Sequence, residues 1–324
     1  LALTTLVDLA SAVAARAVGT EQVEAFVARS KSLTVRVFGG EVESLSVAEP
    51  AGVGIRVVVD GRQGFAHCGT LDHDVVMETL AEARHNARFA EPDPFVAIAG
   101  PDGVEPVAAP FDPGPLERLS VDDKVAMAIA LERQVTNLDP RVRRVRTAIY
   151  TDSIGEVAVA TSTGIVASDC GADAALSVAA LAQDDTGTTV GGGTDAARDP
   201  QALDIDAVAT EAVERAVRML GAGPIASTRL AAVFEPRLAA TVVGLVAGAV
   251  NGERVVKGRS LFADRVGEQV ASPLLGIVDD PTDPRSLGAT TVDGEGLATR
   301  PTVLVADGVL QGFLHNTWTA RRLG

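Results

Sequence analysis

The chain has 324 residues with 28 basic and 43 acidic side chains, a formal charge of −15 and a pI near 4.7. A surface of that sign repels phosphate backbones and anionic lipid, and 3% aromatic content leaves few rings on which bases could stack, so nucleic-acid and membrane-surface binding are excluded as leading roles. At this length one ordinary core is not enough, and 47% apolar residues predict two or three packed domains built from Ala, Val and Leu.

Cys68 and Cys170 lie far apart and form no CxxC pair, which favours a reducing cytoplasm over a disulfide framework. No stretch offers the roughly 20 apolar residues of a membrane-spanning helix. The first 18 residues carry Asp8 and Arg16 and lack the basic start and apolar run of a signal peptide.

Residues 1–90 read as a small N-terminal α+β domain. Positions 2–18 are amphipathic and predict a helix, and alternation through Thr34-Val35-Arg36-Val37-Phe38 predicts half-buried strand. Asp60-Gly61 between two apolar runs suits a tight hairpin turn at positive φ. A helix is expected over 72–89, with Asp72 as N-cap and Val75, Val76, Leu80 and Ala83 on its inner face.

Residues 91–119 hold seven of the sixteen prolines and read as a linker or extended crossing. A central α+β domain is expected over 120–222. Ser120 caps a helix whose third position is Asp123, with Val125, Ala126, Ile129, Ala130 and Leu131 inward. Strands are expected at 142–150, 155–162, 164–169 and 174–183, with a turn at Thr163-Gly164, and then a helix over 204–219. Gly191-Gly192-Gly193 has no following lysine or helix, so it reads as a flexible loop rather than a phosphate cradle.

Residues 223–324 read as a β-rich C-terminal domain with one buried helix. Leu230–Phe234 predicts a short buried strand, Pro236 opens a helix running to about Val250, and Asp307-Gly308 turns a hairpin over 302–314. Gly244, Gly248 and Gly252 recur every fourth residue. Glycine inside a helix costs about 1 kcal/mol relative to alanine, so either another element approaches closely there or the helix is a vacated active-site element.

The four histidines are His67, His73, His85 and His315. His67, Cys68 and His73 form a conceivable metal set, but zinc needs three or four convergent ligands, so structural or solvated histidines are the favoured reading. There is no HExxH, no HExxxH and no Gly-x-Ser-x-Gly elbow. Asp184-Asp185 and Asp279-Asp280 read as solvated loop acids.

Four ordered blocks carry a resemblance. Gly258-Arg259-Ser260-Leu261-Phe262 with Val266–Ser272, Asp293-Gly294-Glu295-Gly296, Ala306–Gly312, and Ala320-Arg321-Arg322-Leu323-Gly324 resemble, in order and spacing, the TldD/PmbA family. The likeness extends to residues 54–66 and 137–169. The resemblance implies an α+β fold of two small α+β domains followed by a β-rich third, incomplete here because the family's portion beyond the last block is absent.

The resemblance also implies a His-Glu-x-x-x-His zinc helix in TldD-type subunits. Counting back from Gly258–Phe262, those positions fall on Val243, Gly244 and Gly248, none of which can bind a metal or act as a base. The chain thus resembles the PmbA/TldE type. That resemblance implies a cytoplasmic subunit of a zinc metallopeptidase complex acting on unfolded peptides. It would have no catalytic residue and no cofactor of its own, the zinc being expected in a TldD-like partner. The alternatives are a stand-alone peptide-binding or regulatory protein of the gyrase-modulator kind, and an independent metalloenzyme using His67, Cys68 and His73.

Overall fold

A computed structural model gives the fold and describes residues 5–107 and 113–324. The early positions of the expected 2–18 helix, up to residue 4, and residues 108–112 of the expected linker lie outside the described residues.

Helix α1 (Leu6–Ala14) starts in a capping box between Thr5 and Asp8 and buries Leu6, Leu9, Ala10 and Val13. Strand β1 (Gln22–Phe38) is long enough to pair with three neighbours. Its first half takes β3 (Ala51–Val59), its second half takes β2 (Glu41–Ala48), and its other edge takes β5 (Val142–Thr161). Strands β3 and β4 (Arg62–Cys68) are joined through Asp60 and Gly61 at φ 51° and 71°, both left-handed as the two-residue turn requires. Helix α2 (His73–Ala87) follows, its first amides bonded to the Asp72 carboxylate at 3.1 and 3.2 Å. Its inner stripe is Val76, Thr79, Leu80, Ala83 and Ala87, while Val75 faces outward.

A short helix α3 (Gly114–Arg118) leads to α4 (Val121–Leu138), which begins in the expected Ser120–Asp123 capping box. Its buried face is rotated from the expected one and runs through Lys124, Ala128, Leu131, Glu132 and Val135. Two charged residues are buried there because each has a partner. Lys124 Nζ sits 2.6 Å from the Asp152 carboxylate, and Glu132 accepts the Gly39 and Gly40 amides at 2.8 and 2.6 Å.

The four strands expected over 142–183 merge into two long ones, β5 and β6 (Val166–Asp184), joined at Gly164 (φ 109°). The glycine run expected as a flexible loop is instead strand β7 (Gly187–Ala197), and the physical reason is packing. Helix α5 (Ile205–Arg218) lies so close that a Cβ at Gly191 would fall 2.1 Å from the Ala212 carbonyl oxygen, and one at Gly193 2.0 Å from that of Val208. Only glycine permits that approach.

All pairings in this sheet are antiparallel, in the order β4-β3-β1-β5-β6-β7 with β2 on β1. The sheet therefore crosses the boundary expected at the proline-rich stretch. Helices α1 and α2 cover one half of one face and α4 and α5 the other, over two apolar cores.

The remainder is less regular than the β-rich domain expected. Residues 222–235 form no strand, and Leu230, Val233 and Phe234, expected to be buried, are 65%, 100% and 52% exposed, having no strand to pair with. Helix α6 (Pro236–Ala249) follows, then α7 (Gly252–Val256), a three-stranded sheet of β8 (Ile277–Asp279), β9 (Thr302–Ala306) and β10 (Val309–Leu310), and α8 (Thr317–Leu323). The hairpin turns at Asp307-Gly308 as expected, with φ 48° and 76°. The helix expected to be buried is α6, yet only Ala249 of it is buried. The core of this portion is small and gathers Ala249, Val250, Phe262, Leu304, Val305 and Leu310 behind the helix's last turn.

Candidate functional site

Pro236 sets the first turn of α6, and the Arg237 guanidinium anchors that turn to α5 through Glu211 at 2.9 Å and to β7 through the Thr194 carbonyl at 3.2 Å. Along the exposed helix, Val243 is 42% exposed, and Gly244 has nothing within 4 Å of where a Cβ would stand. A Cβ on Gly248 would touch the flexible end of Arg254 at 3.4 Å. The side chains at these three positions are one isopropyl group and two hydrogens. They offer no lone pair and do not fit a divalent metal. Among the described residues, no group of three His, Cys, Asp or Glu side chains is placed to hold one.

The glycine repeat does not form one helix face, because α6 stops at Ala249 and Gly252 opens α7 behind the cap Asn251. Close approach is realised only there. A Cβ on Gly252 would fall 2.4 Å from His315 Nδ1 and 2.7 Å from the Leu314 carbonyl oxygen, which the Gly252 amide already engages at 2.7 Å. The same His315 nitrogen lies 3.2 Å from Thr319 Oγ1 on α8. Burial holds its pKa below the ordinary histidine value.

Next to His315 is an open cavity of about 600 Å³ whose polar lining includes Asp279, Asp293, Glu295, Arg300 and His315. Asp293 shapes the turn at its rim by accepting the Glu295 and Leu297 amides at 2.8 and 3.0 Å, and Gly296 closes it at φ 79°. Glu295 is committed twice. Its Oε2 accepts the Thr317 amide and hydroxyl at 2.9 and 3.0 Å, capping α8, and its Oε1 lies 3.5 Å from Arg56 on β3. Arg56 in turn grips Glu24 of β1 through two bonds of 3.0 and 2.7 Å. Burial pushes the Glu24 carboxyl above its ordinary value, and the Arg56 charge pulls it partly back.

Of these groups, sequence reasoning singled out the Asp293–Gly296 block and counted His315 among the histidines. Glu24 and Arg56 were missed. Their only signal was a charge at a strand position otherwise flanked by apolar residues. Residues 67, 68 and 73 do not converge on a site: His67 is exposed and stacks against Phe65, the Cys68 thiol points to the Thr70 carbonyl at 3.5 Å, and His73 lies beside Asp74 at 3.4 Å. Asp184 and Asp280 are taken up in local turns with Thr186 and Thr282.

Three family models match in order: PmbA/TldA metallopeptidase domain 1 over residues 23–87, the central domain over 114–220 and the C-terminal domain over 227–324. The metalloprotease PmbA of Escherichia coli O157:H7 is 23% identical over 307 residues, covering 93% of this chain and 67% of that protein. A metalloprotease TldD homolog of Haemophilus influenzae is 29% identical over 283 residues, covering 84% of this chain and 58% of its own length. The chain thus spans 67% and 58% of these two curated relatives. Among solved structures, TldE from Thermococcus kodakarensis superposes with a TM-score of 0.76 at 25% identity, covering 93% of this chain and 68% of that one. A suggested modulator of DNA gyrase from Bacteroides thetaiotaomicron superposes with a TM-score of 0.86 at 22% identity, covering 98% and 73%. Consecutive family models cover most of the chain and its fold matches these structures, so the chain belongs to the TldD/PmbA family of metallopeptidase-like proteins.

Proposed function

We propose that this chain is a PmbA/TldE-type subunit that carries no metal and works beside a zinc-bearing TldD-like subunit in the hydrolysis of unfolded peptides. The observation that carries this reading is the donor-free surface of α6: Val243, Gly244 and Gly248 stand where the family resemblance places His, Glu and His. The names of the relatives, which include both PmbA and TldD proteins, support a two-subunit setting.

Peptide hydrolysis of this kind needs an ion that polarises the carbonyl and a base that takes a proton from water. In this reading both belong to the partner. This chain's own contribution is structural: its exposed α6 and the cavity beside His315 supply wall and surface, and its sheet holds them in place. Cytoplasmic location belongs to the same proposal, supported by the unpaired Cys68 and Cys170.

The test is metal analysis and peptide cleavage, performed on the purified chain alone and after mixing with a TldD-like chain bearing HExxxH. The expected result is less than stoichiometric zinc on the single chain, no cleavage by it, and chelator-sensitive cleavage by the co-purified pair. Chelator-sensitive hydrolysis by the single chain would overturn the assignment. A chain that stays alone in the presence of such a partner would favour the regulatory reading.

A further inference from the structure

The portion after Gly221 is joined to the rest by one covalent connection, residues 221–235, which has no regular structure and is largely exposed. Among the described residues, none of the three apolar core clusters crosses that boundary: two lie under the sheet helices and the third is confined to residues 246–314. The turn at Gly296 makes an apolar contact across it, resting on Val159 and Ile165.

Polar contacts supplement that turn. Thr290 Oγ1 and the Thr291 amide bond Asp169, the latter at 3.1 Å. Trp318 Nε1 donates to Asp93 at 2.8 Å, and Arg300 meets Asp102 at 3.2 Å. Arg237 meets Glu211 near the connection itself. The most buried of these charge contacts is Arg56 with Glu295, whose side chains are 21% and 15% exposed.

We propose that residues 236–324 form a body that docks reversibly on the open face of the sheet, with the Arg56–Glu295 contact as the clasp and residues 221–235 as the hinge. Domain interfaces permit relative motion by default unless they are large and hydrophobic, and here polar contacts outnumber the one apolar turn, in which Val292 and Ala298 are buried beside Val159 and Ile165. Breaking a polar clasp exposes groups that water can satisfy, so opening does not require either core to unfold. Glu295 also caps α8, and α8 reaches α7 through Thr319, His315 and Gly252, so release at Arg56 loosens one end of a unit whose α6 keeps its own tie to α5 through Arg237. The body would then pivot about that tie, and the cavity beside His315 would move relative to the sheet. The inference itself stands on the boundary contacts and not on the proposed function.

Spin labels on Val47→Cys in β2 and Leu274→Cys, in a Cys68→Ser, Cys170→Ser background, report the distance between the two bodies by pulsed electron paramagnetic resonance. Both sites are exposed, at 50% and 98%. Glu295→Gln leaves the Glu24–Arg56 pair of the sheet intact and is the decisive variant; Arg56→Met is the companion. The expected result is one dominant distance in the parent and a longer-distance population raised about fivefold or more in both variants. An unchanged distribution in Glu295→Gln, whether or not Arg56→Met shifts it, would overturn the proposal, because a change confined to Arg56→Met reports damage to the sheet. Circular dichroism melting of the Glu295→Gln protein confirms that the sheet is folded in the sample measured.

Discussion

Glu24 and Arg56 are register partners across β1 and β3, and the Arg56 guanidinium closes on both Glu24 oxygens through Nε and Nη2 while the same Nη2 lies 3.5 Å from Glu295. One cation thus serves two largely buried carboxylates, so removing it leaves both without a counter-charge. Arg56→Met should lower unfolding stability by about 2–4 kcal/mol, somewhat under the about 3–5 kcal/mol for losing one partner of a fully buried pair, because these side chains keep some exposure. The double variant Glu24→Met, Arg56→Met should recover the part of that loss due to Glu24, since an apolar pair of similar volume needs no desolvation of charge, while Glu295 stays without its cation. Urea denaturation of the three proteins checks both statements. Equal loss in the single and double variants would contradict them.

The outer strand β7 sets a different test. Gly191 and Gly193 lie under α5 at distances no Cβ tolerates, while a Cβ on Gly192 would meet only the Val178 carbonyl oxygen at 3.8 Å. Gly193→Ala should therefore cost about 3 kcal/mol or more, because backbone rather than a movable side chain stands in the way. Gly192→Ala should change stability by no more than about 0.5 kcal/mol. Gly64, which faces the Ala83 carbonyl oxygen at 2.0 Å in the other half of the sheet, should behave like Gly193. Thermal melting of the three alanine variants distinguishes the positions.

These contrasts separate what the chain's local pattern carried from what it did not. Caps and turns are local, so Ser120–Asp123, Asp72, Asp60-Gly61 and Asp307-Gly308 could be read directly. The glycines of β7 could not, because their reason is a helix that returns to them about twenty residues later. The inner face of α4 was misread for a related cause. Apolar periodicity ranks Lys124 and Glu132 as outward, and only the distant Asp152 carboxylate and the Gly39 and Gly40 amides make them inward. At the candidate site, counting from Gly258–Phe262 places Val243, Gly244 and Gly248 on a helix, and α6 is that helix. The Glu24–Arg56–Glu295 cluster joins three remote segments, so a lone charge among apolar strand residues and an acidic turn were its only local traces, and neither names its partner.

His315 offers a pH-dependent signature. Burial holds its imidazole below the ordinary value of 6.5, and its neighbours are Thr319, Gly252 and the Leu314 carbonyl. The folded state therefore favours the neutral ring. Its contribution to stability is complete above the ordinary value and is lost as pH falls through the lower folded-state value. Proton NMR should show the His315 ring titrating with a midpoint below 6.5. His315→Gln should flatten the fall in stability over that interval. A midpoint at or above the ordinary value would remove the effect.

The glycines of the candidate site call for opposite outcomes from one substitution. At Gly244 no atom lies near the missing Cβ, so alanine there adds only helix propensity and should stabilise the protein by about 0.5–1 kcal/mol. At Gly248 the Cβ would press on the end of the Arg254 side chain, which can turn away, so Gly248→Ala should lie near neutral. At Gly252 the obstacle includes the Leu314 carbonyl oxygen at 2.7 Å as well as the His315 ring, and alanine should cost about 1–3 kcal/mol. Measured by denaturation of the isolated chain, the order Gly244→Ala above Gly248→Ala above Gly252→Ala follows from this geometry. Repeating the series with a bound TldD-like chain adds a second reading. If the partner packs on α6, Gly244→Ala should lose its benefit in the complex and weaken association, because the open space beside Gly244 would then be filled by the other subunit.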